Sequence, residues 1–565
     1  VLRADRRGTI SATALQVVGA AAALGVVASA KLTFDALLQP ERAALALAPA
    51  LIALALTTGF TGSVTSLQAQ QLRLLGEKVS QRVWNRLLET TARADLITYE
   101  STGFATSLER IQANALTRPL AVTAALIAMI GGLLGVTVLS AVLVGIEPLL
   151  VPILLSAGLP AVLLSRWASR TEFGFAHRMT AVDRRRGYLR ELLTLRPYAA
   201  ELRAFESTGP LRSRYRALDG EYTAELRGQV LRRQLIAVLT AVGVALALAA
   251  ALLAIIGLVR AGEIDLPEAG AAAIAVRLLS GQLSTVFVAA GILVESAPFL
   301  ADLDNFVDSV PPPLSRGCRR PLTEGFRIEG VTFRYPERDR PALCDVDLEI
   351  RAGEVVAVVG ENGSGKTTLA KVVAGLYDPD KGIRRWDGAE IEGRDIRASV
   401  SVIFQDFVRY QMTLRDNVVI GDGRREVDDE EVLAAARRAG VLAATEDIDT
   451  MLGRDLDEGV DLSGGQWQRI ALARALYRDA GLVVLDEPAA ALDPRAEHEL
   501  FDDVRRVLDG RSALLISHRF SSIRMADRIY VMDAGRVVEC GTHDELMAHA
   551  GQYAELYSLQ SATYR

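Results

Sequence analysis

Leu235 to Val259 runs for 25 residues without a charged side chain. As a helix rising about 1.5 Å per residue, it covers the ~30 Å hydrocarbon core of a bilayer with length to spare. A helix on the surface of a soluble domain keeps one polar face, and this stretch keeps none. Five further stretches can cross a membrane or nearly so: Ile10–Ala30, Ala43–Val64, Leu120–Val144, Leu149–Leu164 and Ala269–Leu300. Leu149–Leu164 is the shortest, and Glu147-Pro148 ties it to the stretch before it as a tight hairpin. Arg3, Arg6 and Arg7, with small residues near Ala30, imitate a secretory leader. Five more spans behind the first argue for a resident helix instead.

Composition divides along the same line. Up to Gly325 there are 32 Lys and Arg against 25 Asp and Glu; from Phe326 onward there are 31 against 44. An apolar, basic half thus precedes an acidic half that reads as soluble. This pattern excludes a disordered or collagen-like chain and argues against a wholly soluble enzyme. The three cysteines, Cys318, Cys344 and Cys540, form no CxxC pair and give no zinc or redox signal; reduced thiols in a cytosolic compartment are expected.

Lys and Arg accumulate on the cytoplasmic side of membrane proteins. Thr65–Arg118 carries seven and Arg166–Arg233 carries fifteen, whereas the opposite connections hold only Lys31, Arg42 and Arg260. Both termini and two long loops are therefore expected in the cytoplasm. Mixed charge at helical spacing in Glu77–Trp84 and Arg184–Glu191 predicts that these loops continue the spans as helices, with breaks at Tyr99–Gly103 and Ser207–Pro210. The proline run Pro311-Pro312-Pro313 cannot continue a helix. The chain is accordingly divided into a membrane domain of six spans (1–310), a proline-containing linker (311–325) and an α/β domain (326–565).

The second half carries chemistry. The apolar run Val355–Val359 leads into Gly360-Glu361-Asn362-Gly363-Ser364-Gly365-Lys366-Thr367 and then a helix-like stretch. Glycines let a backbone wrap closely enough to point its N–H groups at phosphate oxygens. Lys366 can reach the β- and γ-phosphates, and the Thr367 hydroxyl can bind Mg2+. Leu482–Leu485 is a buried strand pattern ending in Asp486-Glu487. Asp486 suits a magnesium shell, and Glu487 suits a base that orients attacking water. Between them, Ser463-Gly464-Gly465-Gln466 opens another helix, a second phosphate-binding arrangement of orphan N–H groups.

With GENGSGKT, LSGGQ and LVVLDE in this order, Phe326 to about Tyr557 resembles the nucleotide-binding domain of ATP-binding cassette (ABC) proteins. With six spans upstream, the whole chain resembles a half-size ABC exporter. The resemblance implies roles for further residues. Thr368 belongs to the phosphate loop, Gln405 touches magnesium beside the coupling helices, and His518 is the switch histidine, catalytic together with Glu487. Tyr335 stacks on adenine, and Asp493 lies in the loop crossing between two cassettes. Tyr99–Phe104 and Glu201–Glu206 look like the turns that dock on cassettes. Ala489-Ala490 and Trp467 depart from the family, which usually has Thr-Ser and a basic residue there. The implied cofactors are ATP and Mg2+. The implied partner is a second half-transporter, in a homodimer or heterodimer that sandwiches ATP between the phosphate loop of one chain and LSGGQ of the other.

Cargo is less marked. Arg277, Gln282, Ser284 and Thr285 lie in the sixth span, and an intramembrane charge usually has a use. Arg277 and Gln282 are therefore candidates for substrate contact, although Arg277 is also placed to snorkel to the outer interface. Phe404–Tyr410 and Gly464–Arg469 are similar to cassettes of lantibiotic-type and other modified-peptide exporters without a peptidase domain. The expectation is ATP-driven export of a modified peptide or natural product by alternating access across a bacterial cytoplasmic membrane. Lipid or multidrug export, siderophore import and a cassette-gated regulator are the alternatives. A soluble cassette ATPase of translation or DNA repair lacks spans, so no nucleic-acid partner is expected.

Overall fold

The computed structural model describes residues 5–38, 43–115, 117–156, 159–311, 317–441, 447–454, 459–487, 510–517, 523–524 and 526–563. Two compact units emerge: Val1–Ala94 with Gly103–Pro311, and Asp95–Thr102 with Pro312–Arg565.

The first unit is helical. Its elements are α1 (Arg6–Leu38), α2 (Ala43–Arg93), α4 (Thr102–Ala115), α5 (Arg118–Ile146), α6 (Leu150–Ser156), α7 (Leu159–Thr194), α8 (Arg196–Ala204), α9 (Thr208–Ala261) and α10 (Leu266–Ser309); α3 (Leu96–Tyr99) belongs to the second unit. Among the described residues five helices are long and apolar enough to cross a membrane: α1, α2, α5, α9 and α10. The remaining expected span, Leu149–Leu164, is divided between α6 and α7, with 157–158 outside the described residues. Pro152 and Pro160 each lie near the start of their helix, where a missing N–H costs little. Leu139, Leu143, Leu150, Ala251, Ala272 and Leu279 form the buried centre, joining α5, α6, α9 and α10.

The long polar loops are helical, as their charge spacing predicts. Their breaks differ in detail. The first falls between α2 and α4, around α3. The second falls at Phe205–Ser207, so that Thr208, Gly209 and Pro210 already form the first turn of α9. Proline is tolerated there because the first N–H groups of a helix have no intrahelical partner.

The second unit contains two sheets. β1 (Gly325–Phe333), β2 (Leu343–Arg351), β4 (Lys381–Trp386) and β5 (Ala389–Glu390) form an antiparallel sheet in the order β2-β1-β4-β5. β3 (Val355–Gly360), β6 (Val400–Ile403), β7 (Leu482–Asp486), β8 (Ser512–Ile516), β9 (Arg528–Asp533) and β10 (Arg536–Gly541) form the other, in the order β10-β9-β3-β8-β7-β6. All neighbours are parallel except the β9–β10 hairpin. β3, β7 and β8 are apolar runs apart from Asp486 and Ser512 at their ends, as expected for strands covered on both faces. α11 (Lys366–Val373), α12 (Gly393–Ser399), α13 (Leu414–Val419), α14 (Asp429–Arg438) and α15 (Gly464–Tyr477) follow in the chain. One core lies between the two sheets and α11, around Phe326, Val358, Leu369 and Tyr377; another joins α13, α14 and α15.

Candidate nucleotide site

Strand register assembles the site. Val358 of β3 stands beside Ile516 of β8, and Ile516 stands beside Asp486 of β7. The ends of three parallel strands therefore meet at one edge, where open α/β sheets bind their ligands. The loop after β3 wraps tightly there. A Cβ at Gly360 would stand 2.1 Å from the Met532 carbonyl oxygen, and one at Gly365, whose φ is +103°, would stand 2.8 Å from that of Ala342. Only glycine fits both places.

Lys366 opens α11 and is buried. Its Nζ donates to the carbonyl oxygens of Gly360, at 2.8 Å, and Glu361, at 2.7 Å. Burial pushes the ammonium pKa down, while Glu487 and Asp486 pull it back up. Asp486 is 1% exposed, and neither of its carboxylate oxygens has a hydrogen-bond partner. Burial drives its pKa up to about 6, against the neighbouring Thr367 hydroxyl and despite Lys366. An orphaned buried carboxylate is costly, and a cation beside Thr367 relieves that cost. The residues therefore fit Mg2+, which takes oxygen ligands and keeps most of its own water.

Glu487 follows with φ +50°, left-handed for a non-glycine residue, and its N–H donates to the Ile516 carbonyl at 2.9 Å. Such a backbone costs on the order of 1 kcal/mol and persists where surroundings enforce it. Tyr335, Gly360, Asn362, Gly363, Gly365, Lys366, Thr367, Thr368, Gln405 and Glu487 line one open cleft of about 1110 Å³. The Ser364 hydroxyl is buried in the loop without a partner. Tyr335 shares a hydrogen bond with Thr368 at 3.1 Å, which fixes the ring at the rim. Ile523, Leu556 and Leu559 complete the wall; no motif marks them, since they come from distant apolar segments.

Ser463–Gln466 do not line this cleft. Ser463 caps α15: its hydroxyl accepts from Gln466 N–H, and the Gln466 side chain accepts from Ser463 N–H at 2.8 Å. This capping box satisfies two of the backbone donors at the start of α15. Trp467, the departure from the family pattern, is 4% exposed and packs in the core of α13–α15. His518, Asp493, Ala489 and Ala490 lie outside the described residues. Gln282 packs against Gly135 of α5, where an added Cβ would approach its side chain to 2.8 Å, and Arg277 is exposed.

Of the turn Tyr99–Phe104, which resembles those that dock on cassettes, residues up to Thr102 belong to the second unit together with Asp95–Thr98. Tyr377 Oη donates to Glu100 at 2.6 Å, and Lys371 of α11 stands 3.9 Å from the same carboxylate. The Tyr377 ring stacks on Phe333 and meets Tyr335 edge-on, with centroids 4.8 and 5.6 Å apart.

Residues 343–490 match the family model described as ABC transporter. An ATP-dependent lipid A-core flippase of Alkalilimnicola ehrlichii is 43% identical over 260 residues, covering 44% of this chain and 43% of that protein. The nisin transport ATP-binding protein NisT of Lactococcus lactis is 39% identical over 238 residues, covering 41% and 40%. The chain thus spans less than half the length of these curated relatives. A solved structure of a bacterial Atm1-family ABC exporter with ATP bound superposes with a TM-score of 0.81, at 24% identity, over 99% of this chain and 98% of that one. Residues 343–490 are therefore similar to an ABC transporter domain, and the chain has, over its length, the fold of that Atm1-family exporter.

Proposed function

We propose that this chain is one half of an ATP-driven exporter of a bacterial cytoplasmic membrane, with its ATPase domain in the cytoplasm. Two such halves, identical or different, hold ATP between the Gly360–Thr368 loop of one and Ser463–Gln466 of the other, and alternate the access of a cargo path. The observation that carries the reading is the orphaned Asp486 carboxylate beside Lys366 and Glu487, in a chain whose described residues include five long apolar helices.

The residues divide the work. N–H groups of the phosphate loop and the Lys366 ammonium bind the phosphates, Lys366 trading its two carbonyl partners for phosphate oxygens. Tyr335 orients the base. Asp486, Thr367 and Gln405 would hold Mg2+, which would neutralise charge on the phosphates. Glu487 takes a proton from water aligned with the γ-phosphate, and its enforced backbone keeps the carboxylate aimed; His518 and Asp493 complete the site by family resemblance. Among cargoes, a modified peptide or natural product and a lipid are both supported, since relatives include nisin and subtilin transport proteins and lipid A-core flippases.

The test is the full chain in lipid nanodiscs. Glu487→Gln should slow Mg2+-dependent ATP hydrolysis at least about a hundredfold while still binding ATP. Turnover equal to the unaltered protein would remove Glu487 from this role.

A further inference from the structure

Ile523, Leu556 and Leu559 stand in the wall of the same cleft as Lys366, Gln405, Glu487 and Ser517. Phosphates offer an aliphatic side chain no hydrogen bond, so these three serve the site in some way other than holding ATP by its phosphates. Leu556 and Leu559 belong to α17 (Gln552–Thr563), which follows α16 (His543–His549) in the second unit. The first turn of α17 is anchored firmly. Tyr553 is fully buried in one core with Val359, Ile523, Ile529 and Leu546. Its hydroxyl shares a hydrogen bond of 2.7 Å with Nδ1 of His543.

The second anchor is Glu539 of β10. One carboxylate oxygen accepts from the Gln552 N–H at 2.6 Å, and the other accepts from the Tyr553 N–H at 3.1 Å. A helix start leaves these donors without an intrahelical acceptor, and a negative charge suits the positive end of its dipole. Two local features let the carboxylate reach them. The register of β10 on β9 slips between Val537 and Glu539, and such a bulge re-aims the side chain that follows it. Gly551 leaves the approach open, since a Cβ there would stand 2.2 Å from Glu539 Oε1. Val359 directly precedes Gly360, so the core that holds Tyr553 lies beside the strand end that carries the phosphate loop. Tyr553, Leu556 and Leu559 follow at three-residue intervals, as neighbours on a helix surface do. Exposure rises from 0% at Tyr553 to 62% at Leu559, so the apolar stripe passes out of the core and into the cleft wall.

We propose that Leu556 and Leu559 form a water-excluding wall for ATP hydrolysis, and that Glu539 is the positioning residue that holds α17 against the cleft. The wall leaves ATP binding to the phosphate loop. It keeps bulk water from competing for the hydrogen bonds of Glu487 and from weakening the field at the phosphates, where charges act more strongly in a drier setting. This assignment rests on the reading of Glu487 as the base, and it adds residues that touch neither the phosphates nor the attacking water.

The experiment separates turnover from binding in the full chain in lipid nanodiscs. kcat is measured with Mg2+ and ATP, and ATP affinity is measured in EDTA, where hydrolysis stops. Leu556→Ser combined with Leu559→Ser should lower kcat about threefold to tenfold and leave ATP affinity within about twofold. Leu556→Met combined with Leu559→Met keeps the wall apolar and should retain at least about half of kcat, a rescue that tests apolarity itself. Glu539→Ala should reproduce the loss of the serine pair, again at unchanged ATP affinity. Glu539→Gln keeps one carbonyl acceptor for the start of α17 and should recover part of that loss. Glu487→Gln belongs in the same series: full turnover by that variant would remove the reading of the base. Slow turnover by Glu487→Gln beside an unaltered kcat for the serine pair would overturn the wall alone. The wall would equally be overturned by ATP affinity falling in step with kcat, or by a loss in the methionine pair as large as in the serine pair.

Discussion

At the scale of single residues, the groups that matter are those whose polar atoms are either wholly served or wholly unserved. Asp387 is wholly served: its carboxylate accepts from the N–H groups of Thr323, Glu324 and Gly325 and from the Thr323 hydroxyl, at 2.7 to 3.1 Å. Burial acts to raise its pKa, but these donors prevail and hold it below the usual carboxylate range. A carboxylate held low stabilises the fold above its unfolded pKa, and that stability is lost as pH falls through the folded value. Asp387→Asn, which tolerates the same left-handed φ of +48°, should destabilise the second unit by about 1–2 kcal/mol at pH 7. The gap from the unaltered protein should close as pH is lowered below about 4; thermal melts at a series of pH values would show it. A gap independent of pH would mean that shape, not charge, holds this turn. Asp486 is the opposite case, and its unserved oxygens are what make it the proposed cation ligand.

At the scale of elements, the turn containing α3 reaches the nucleotide cleft through rings. Glu100 holds the Tyr377 hydroxyl, Tyr377 sets the edge of Tyr335, and Tyr335 is tied to Thr368 beside the phosphate loop. Tyr377→Phe preserves the stacking and removes the bond to Glu100. It should weaken ATP binding about threefold to tenfold with an unchanged melting temperature, and Glu100→Gln added to it should have little further effect. Additive losses, or a lowered melting temperature with unchanged ATP affinity, would assign the contact to stability alone. Here the sequence was only partly legible. Gly360–Thr367, Asp486-Glu487 and Ser463–Gln466 stand out because each is a local pattern beside its own strand or helix. The Glu100–Tyr377 bond joins residues 277 apart, and the Arg118–Glu295 pair joins residues 177 apart. No local pattern signals such pairs. Gln282, read as a candidate cargo contact, lies beside Gly135, and a polar residue in a span also serves close helix packing.

At the scale of the whole molecule, the fold class follows from the two halves of the sequence. Apolar runs force membrane-length helices, and strand-loop-helix motifs force a parallel sheet with its functional groups at one edge. In a single chain Ser463–Gln466 are not among the residues lining the cleft that holds Lys366. The central claim, that each ATP is shared by two chains, is tested most directly by tethered pairs in a Glu487→Gln background, counting ATP retained per pair. In one arrangement Lys366→Ala sits in one chain and Ser463→Ala in the other; in the second, both sit in the same chain. Shared sites predict about one retained ATP in the first arrangement, because both lesions fall in one composite site, and close to none in the second. The reverse order, with retention only when both lesions share a chain, would contradict the account.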